Sequence, residues 1–154
     1  MSTIHPRETA ACVLLIVATA CGNPAQPSGP DLRGTWDFTF SASSQGSCPG
    51  APQLVTGCEG SGRLLIDRTT PQVAATHSYR AACQSCRGAF DYSMSEQPLT
   101  GAALSGETLQ FDLAGCRFAA EVPDVAPSVA GTVVCTVDDA AGLTSRGRWT
   151  MSRR

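Results

Sequence analysis

The chain has 154 residues, a formal net charge of −2, and is 42% hydrophobic with only 6% aromatic residues. It contains no lysine, which excludes Schiff-base and P-loop lysine chemistry, and its 11 arginines form no basic stripe, which argues against nucleic-acid binding. From Asp31 onward Leu, Ile, Val and Phe make up just under a fifth of the residues, and this thin core is accompanied by six cysteines. That combination predicts a disulfide-supported exported domain.

The N-terminus, MSTIHPRE, leads into the apolar run TAACVLLIVATA (residues 9–20) and then Cys21. The run is short of the roughly 20 residues that cross a bilayer as a helix, and it fits the apolar part of a signal peptide. Ala18-Thr19-Ala20-Cys21-Gly22 resembles the lipobox of bacterial lipoproteins. The resemblance implies cleavage after Ala20 and diacylation of Cys21, whose two chains suffice for stable membrane anchoring. In that family Asp after the cysteine retains the protein in the inner membrane. Gly22 is not Asp, so the resemblance implies a place in the bacterial cell envelope, at the outer membrane. Residues 1–20 are thus expected to be a signal peptide. Residues 21–30, rich in Pro and Gly, are expected to be a lipidated flexible tether, and 31–154 an all-β domain.

Within that domain GTWDFTFS alternates Trp36, Phe38 and Phe40 with polar residues, the pattern of a half-buried strand. GRLLID (62–67) predicts a second strand. VAATHSYR (73–80) puts Val73, Ala75, His77 and Tyr79 on one face, and GAFDYSM (88–94) does the same for Phe90, Tyr92 and Met94. TGAALSGETLQFDL (100–113) reads as a hairpin with Ser105-Gly106 at its tip. RFAAEV (117–122), GTVVCTV (131–137) and SRGRWTMS (145–152) complete the series. No segment keeps a helical period. Eight or nine short strands between turn residues predict a single antiparallel meander closed into a β-barrel, with a β-sandwich as the alternative.

Gly34-Thr35-Trp36 is similar to the opening strand of lipocalins and related small β-barrels. In those proteins an arginine near the last strand packs over the tryptophan, and Arg146, Arg148 and Arg153 are the candidates here.

Six cysteines, Cys48, Cys58, Cys83, Cys86, Cys116 and Cys135, imply three disulfides. Pairing neighbours along a meander predicts Cys48–Cys58, Cys83–Cys86 and Cys116–Cys135, the second closing a tight Gln84-Ser85 turn. Cys83-Gln84-Ser85-Cys86 could alternatively be a redox or metal-sensing pair. Flanking strands, however, deny it the helix N-terminus that lowers a thiol pKa, and His77 is the domain's only histidine. No nucleophile elbow or phosphate loop is present, so the chain is expected not to be an enzyme and to hold no metal or cofactor.

The expected function is a lipid-anchored binding module for a small apolar ligand or an envelope partner. The ligand version places Trp36, Phe38, Phe40, Tyr79 and Phe90 near a cavity. The alternatives are a redox or copper-sensing lipoprotein using Cys83 and Cys86, and a purely structural envelope lipoprotein.

Overall fold

The computed structural model describes residues 30–45, 48–69, 71–124, 127–138 and 142–154. The expected signal peptide, the lipid site Cys21 and the tether up to Gly29 lie outside the described residues. Among the described residues there are nine strands and no helix. They are β1 (Gly34–Gln45), β2 (Val55–Arg68), β3 (Ala74–Ser85), β4 (Gly88–Pro98), β5 (Ala103–Ser105), β6 (Thr108–Leu113), β7 (Cys116–Glu121), β8 (Ser128–Asp138) and β9 (Leu143–Arg153).

All neighbours are antiparallel and form one sheet in the order β4-β3-β2-β1-β9-β8-β7-β6-β5. The chain is therefore a meander whose first and last long strands, β1 and β9, pair with each other. The sheet curls into a half-barrel, and among the described residues its unpaired edges are β4 and β5.

Alternation explains the inner face. On β1, Trp36, Phe38, Phe40 and Ala42 are buried, while Asp37, Thr39, Ser41 and Ser43 face water. Across the concave side Phe40 meets Phe118 of β7 edge-on at 5.2 Å between ring centroids. Phe118 stacks on Phe111 of β6 at 4.8 Å, and Phe111 meets the Trp149 ring of β9 at 5.2 Å. Strands far apart in the sheet thus share one aromatic core. Each fully buried side chain of this kind contributes roughly 1.5–3 kcal/mol.

Strand β2 begins at Val55, well before the predicted Gly62. The glycines that read as a break serve the core instead. A Cβ on Gly60 would lie 2.5 Å from Cε1 of Phe40, and one on Gly62 would lie 2.8 Å from Cε1 of Phe38. The two rings lie in the space those side chains would take. Gly131 on β8 does the same for Trp149, whose Nε1 passes over it to donate to the Ala119 carbonyl of β7 at 3.2 Å. The β6–β7 loop has Ala114 (φ 51°) and Gly115 (φ 70°) at its centre, the two positive φ values that a type I′ hairpin turn requires.

The disulfides correct two of the three expected pairings. The bonds are Cys48–Cys86, Cys58–Cys83 and Cys116–Cys135. Cys83 and Cys86 do not close a ring, because the turn falls two residues later than expected. Cys86-Arg87 form the loop between β3 and β4, with Ser85 opposite Gly88. Cys83 stays in the strand and points inward, directly opposite Cys58 of β2, with Cα atoms 4.1 Å apart. Cys86, beyond the strand end, bonds instead to Cys48 of the β1–β2 loop. The third pair is as expected, since Cys116 and Cys135 face each other across β7 and β8.

Candidate functional site

Strand β4 is built differently from its neighbours. Among the described residues it pairs only with β3, and nearly every residue on both of its faces is exposed. Phe90, Tyr92 and Met94 share a face, as alternation predicts, and stand opposite Cys83, Ala81 and Tyr79 of β3. Those three β3 side chains are at most 5% exposed, whereas Tyr92 is 38% and Met94 48% exposed. The reason lies in the curl. Strands β2 and β3 approach β8 across the interior, so the core layer ends beneath β3 and β4 overhangs it.

The hydrogen-bonding phase of this edge follows from the disulfide beside it. Directly opposed antiparallel residues alternate between wide hydrogen-bonded pairs, about 5.5 Å between Cα atoms, and narrow non-hydrogen-bonded pairs near 4.5 Å. Cys58 and Cys83, at 4.1 Å, are a narrow pair, so the backbone N–H and C=O of Cys83 turn towards β4. There they bond Phe90, and by alternation Tyr92 and Met94 also turn their backbone groups inward. The N–H and C=O groups of Ala89, Asp91 and Ser93 consequently point away from the sheet.

One end of the edge is blunted. The β3–β4 register shifts between His77 and Tyr79, Glu96 adopts φ 51°, and its N–H is taken by the Ser78 hydroxyl at 3.0 Å. Pro98 then ends the strand. Bulges and prolines are common devices against edge pairing, and here they guard only the Glu96–Pro98 end.

Near that bulge His77 is buried and stacks on Tyr79, with 5.5 Å between ring centroids. Its Nδ1 is buried without a hydrogen-bond partner. Burial lowers the imidazole pKa below its usual value, partly offset by a hydrogen bond to the Gln97 backbone. Burial likewise raises the Tyr79 hydroxyl, with Tyr92 adding to the shift.

Among the residues singled out from sequence, Trp36, Phe38, Phe40 and Tyr79 are packed in the core, and Phe90 is half-buried. Phe38 and Phe40 stack at 6.4 Å, and Phe90 meets Tyr92 edge-on at 5.4 Å. The expected arginine-over-tryptophan contact is present. The Arg153 guanidinium lies 5.0 Å above the Trp36 ring and donates to the Asp31 carbonyl, while Trp36 Nε1 donates to Leu32 at 2.7 Å. These contacts fasten residues 31–33 over one end of the curled sheet.

The sulfurs of Cys58, Cys116 and Cys135 lie within 4.8 Å of one another, because two cross-strand disulfides stack across the core. Each sulfur is already bonded in a disulfide. On the outer face, an open furrow of about 560 Å³ runs over Gly60 between Ser61, Arg80 and Asp91. Its size suits a small molecule, but it does not enclose one as ligand clefts do.

Sequence reasoning placed Tyr92 and Met94 on one face of a strand but missed them as a site. Pro98, two residues after Glu96, is the local sequence feature that fits an edge strand. No family model, curated protein or solved structure matches the chain.

Proposed function

We propose that this chain is a lipid-anchored, non-enzymatic binding module of a bacterial cell envelope that presents the β4 edge to an envelope partner. The carrying observation is the overhang. Tyr92 and Met94 are exposed beside a strand edge whose backbone groups at Ala89, Asp91 and Ser93 point outward. An edge of this kind recognises an extended segment by strand addition, with main-chain bonds supplying affinity and the apolar face supplying specificity. The rings of Phe38, Phe40, Phe111, Phe118 and Trp149 occupy the interior, which favours a partner at the rim over an apolar ligand inside.

Three disulfides suit an oxidising compartment, in keeping with the lipobox-like segment ending at Cys21. A redox couple of Cys83 with Cys86 draws no support from the geometry, since the two belong to different disulfides.

A photo-crosslinking residue placed at position 92, with one at Arg117 on the opposite side as control, tests the edge in intact cells. Adducts from position 92 alone are expected. Equal yields at both positions, or none at 92, would remove the edge from the account. Palmitate labelling that disappears in Cys21→Ser checks the anchor.

A further inference from the structure

We infer that the partner of the β4 edge is a second copy of this chain, paired antiparallel about a two-fold axis at Ser93. The inference rests on the reading of β4 as the binding edge and names what binds there.

The stripe around Ser93 is its own complement. A two-fold axis at Ser93 sets Ser93 against Ser93 of the second copy as a hydrogen-bonded pair, and Asp91 against Ser95 of the second copy on either side. For Asp91 and Ser93 these pairings use the backbone groups that point outward; the Ser95 carbonyl accepts from the exposed Gln97 side-chain amide at 3.1 Å, a bond that the pairing replaces. On the apolar face each exposed Tyr92 stands opposite the exposed Met94 of the other copy, a ring-to-thioether contact made twice. A surface that matches itself in this way forms a closed, isologous dimer.

Charge selects the same arrangement. Asp91 and Glu96 are the only charged residues of β4. The two-fold pairing puts Asp91 opposite serine and Glu96 opposite Phe90. A parallel in-register pairing would set Asp91 on Asp91 and Glu96 on Glu96, and directly opposed like charges are destabilising. The bulge at Glu96 and the proline at 98 stop the ladder beyond Ser95, leaving a segment, 91–95, that is symmetric about Ser93. So short a ladder is weak in free solution. A membrane tether raises the effective concentration of neighbouring copies and offsets that weakness.

The test is a charge swap across the axis. One full-length copy carries Tyr92→Arg with Met94→Arg, and a differently tagged copy carries Tyr92→Glu with Met94→Glu. The two are co-expressed, and association is read by co-purification of the tags. Two wild-type copies should co-purify. Each charged variant paired with its own kind should lose association roughly tenfold or more, because like charges then face each other twice. The mixed pair should recover it, which also shows that both variants fold. Ser93→Pro, which removes an N–H that points away from β3, should weaken pairing of otherwise wild-type copies.

The inference is overturned if the mixed pair is no better than the like pairs, or if the like pairs associate as well as wild type. Wild-type copies that fail to co-purify, while position 92 crosslinks to a different protein, overturn the second copy and leave the edge reading standing. Absence of any adduct from position 92 overturns both.

Discussion

The β1–β9 side of the sheet and the β3–β4 side show the same alternating pattern with opposite results. On β1 the inward residues Trp36, Phe38 and Phe40 meet rings from β6, β7 and β9 and are lost from solvent. On β4 the inward residues Phe90, Tyr92 and Met94 follow the same spacing, but only Phe90 packs against the margin of the core, and Tyr92 and Met94 remain exposed. An apolar period thus identifies a face. Whether that face becomes core depends on what the curl of the sheet brings in front of it. The first side holds the fold together, and the second is left available for binding.

The strongest way to break this contrast is to truncate one apolar side chain in each region. Phe118→Ala, at the centre of the aromatic cluster, should cost roughly 3–5 kcal/mol in urea unfolding. Met94→Ala should stay within about 0.5 kcal/mol, as exposed positions do. Comparable losses at the two positions would mean that β4 is part of the core.

The disulfides come next. Replacing Cys116 and Cys135 together by serine opens a loop with a sequence separation of 19 and should cost roughly 3 kcal/mol by loop entropy. The bond between Cys48 and Cys86 encloses the one between Cys58 and Cys83, so its own contribution is that of the shorter path left once the inner bond exists. That too is roughly 3 kcal/mol. Non-reducing peptide mapping should recover Cys48 joined to Cys86 and Cys58 joined to Cys83.

A smaller effect is expected where a ring rests on a bare backbone. Gly131→Ala would drive a methyl into the Ala119 carbonyl and the Trp149 indole, with a loss of roughly 1–3 kcal/mol and a change in tryptophan fluorescence. Smaller still is the pH response of His77, next to the overhang. Its folded pKa lies below the unfolded value near 6.5, so the unfolded chain takes up the proton more readily. Stability should therefore hold above that pH and decline as pH falls through it. His77→Phe should flatten the decline in thermal melts taken between pH 7.5 and 5.

Much of the fold was legible in the sequence because period-two patterning survives wherever a strand has one wet face. Thr108 to Leu113 and Ala74 to Ser85 show it without interruption. The first part of β2 was hidden because Gly57, Gly60 and Gly62 imitate a loop, and only the rings lying over the latter two explain them. Disulfide partners were hidden for a different reason. Cys83 finds Cys58 by the register of β2 on β3, and Cys86 is released to Cys48 because the β3–β4 turn falls at Cys86-Arg87, two residues beyond Gln84-Ser85, neither of which composition reveals. The arginine over Trp36 was anticipated only from the resemblance of Gly34-Thr35-Trp36 to lipocalins, and the choice among Arg146, Arg148 and Arg153 needed the geometry. Tyr92 and Met94 were visible as residues but not as a site, since strand order, not strand sequence, makes β4 an edge.

Amide hydrogen exchange along β4, at a dilution where the chain is monomeric, tests the central claim most directly. The account predicts a saw-tooth. The N–H groups of Ala89, Asp91 and Ser93 should exchange rapidly, and those of Phe90, Tyr92 and Met94 slowly, because only the latter bond to β3. Uniform protection from residue 89 to 94 would mean that the chain covers its own edge, and the contrast between the closed and open sides would fall.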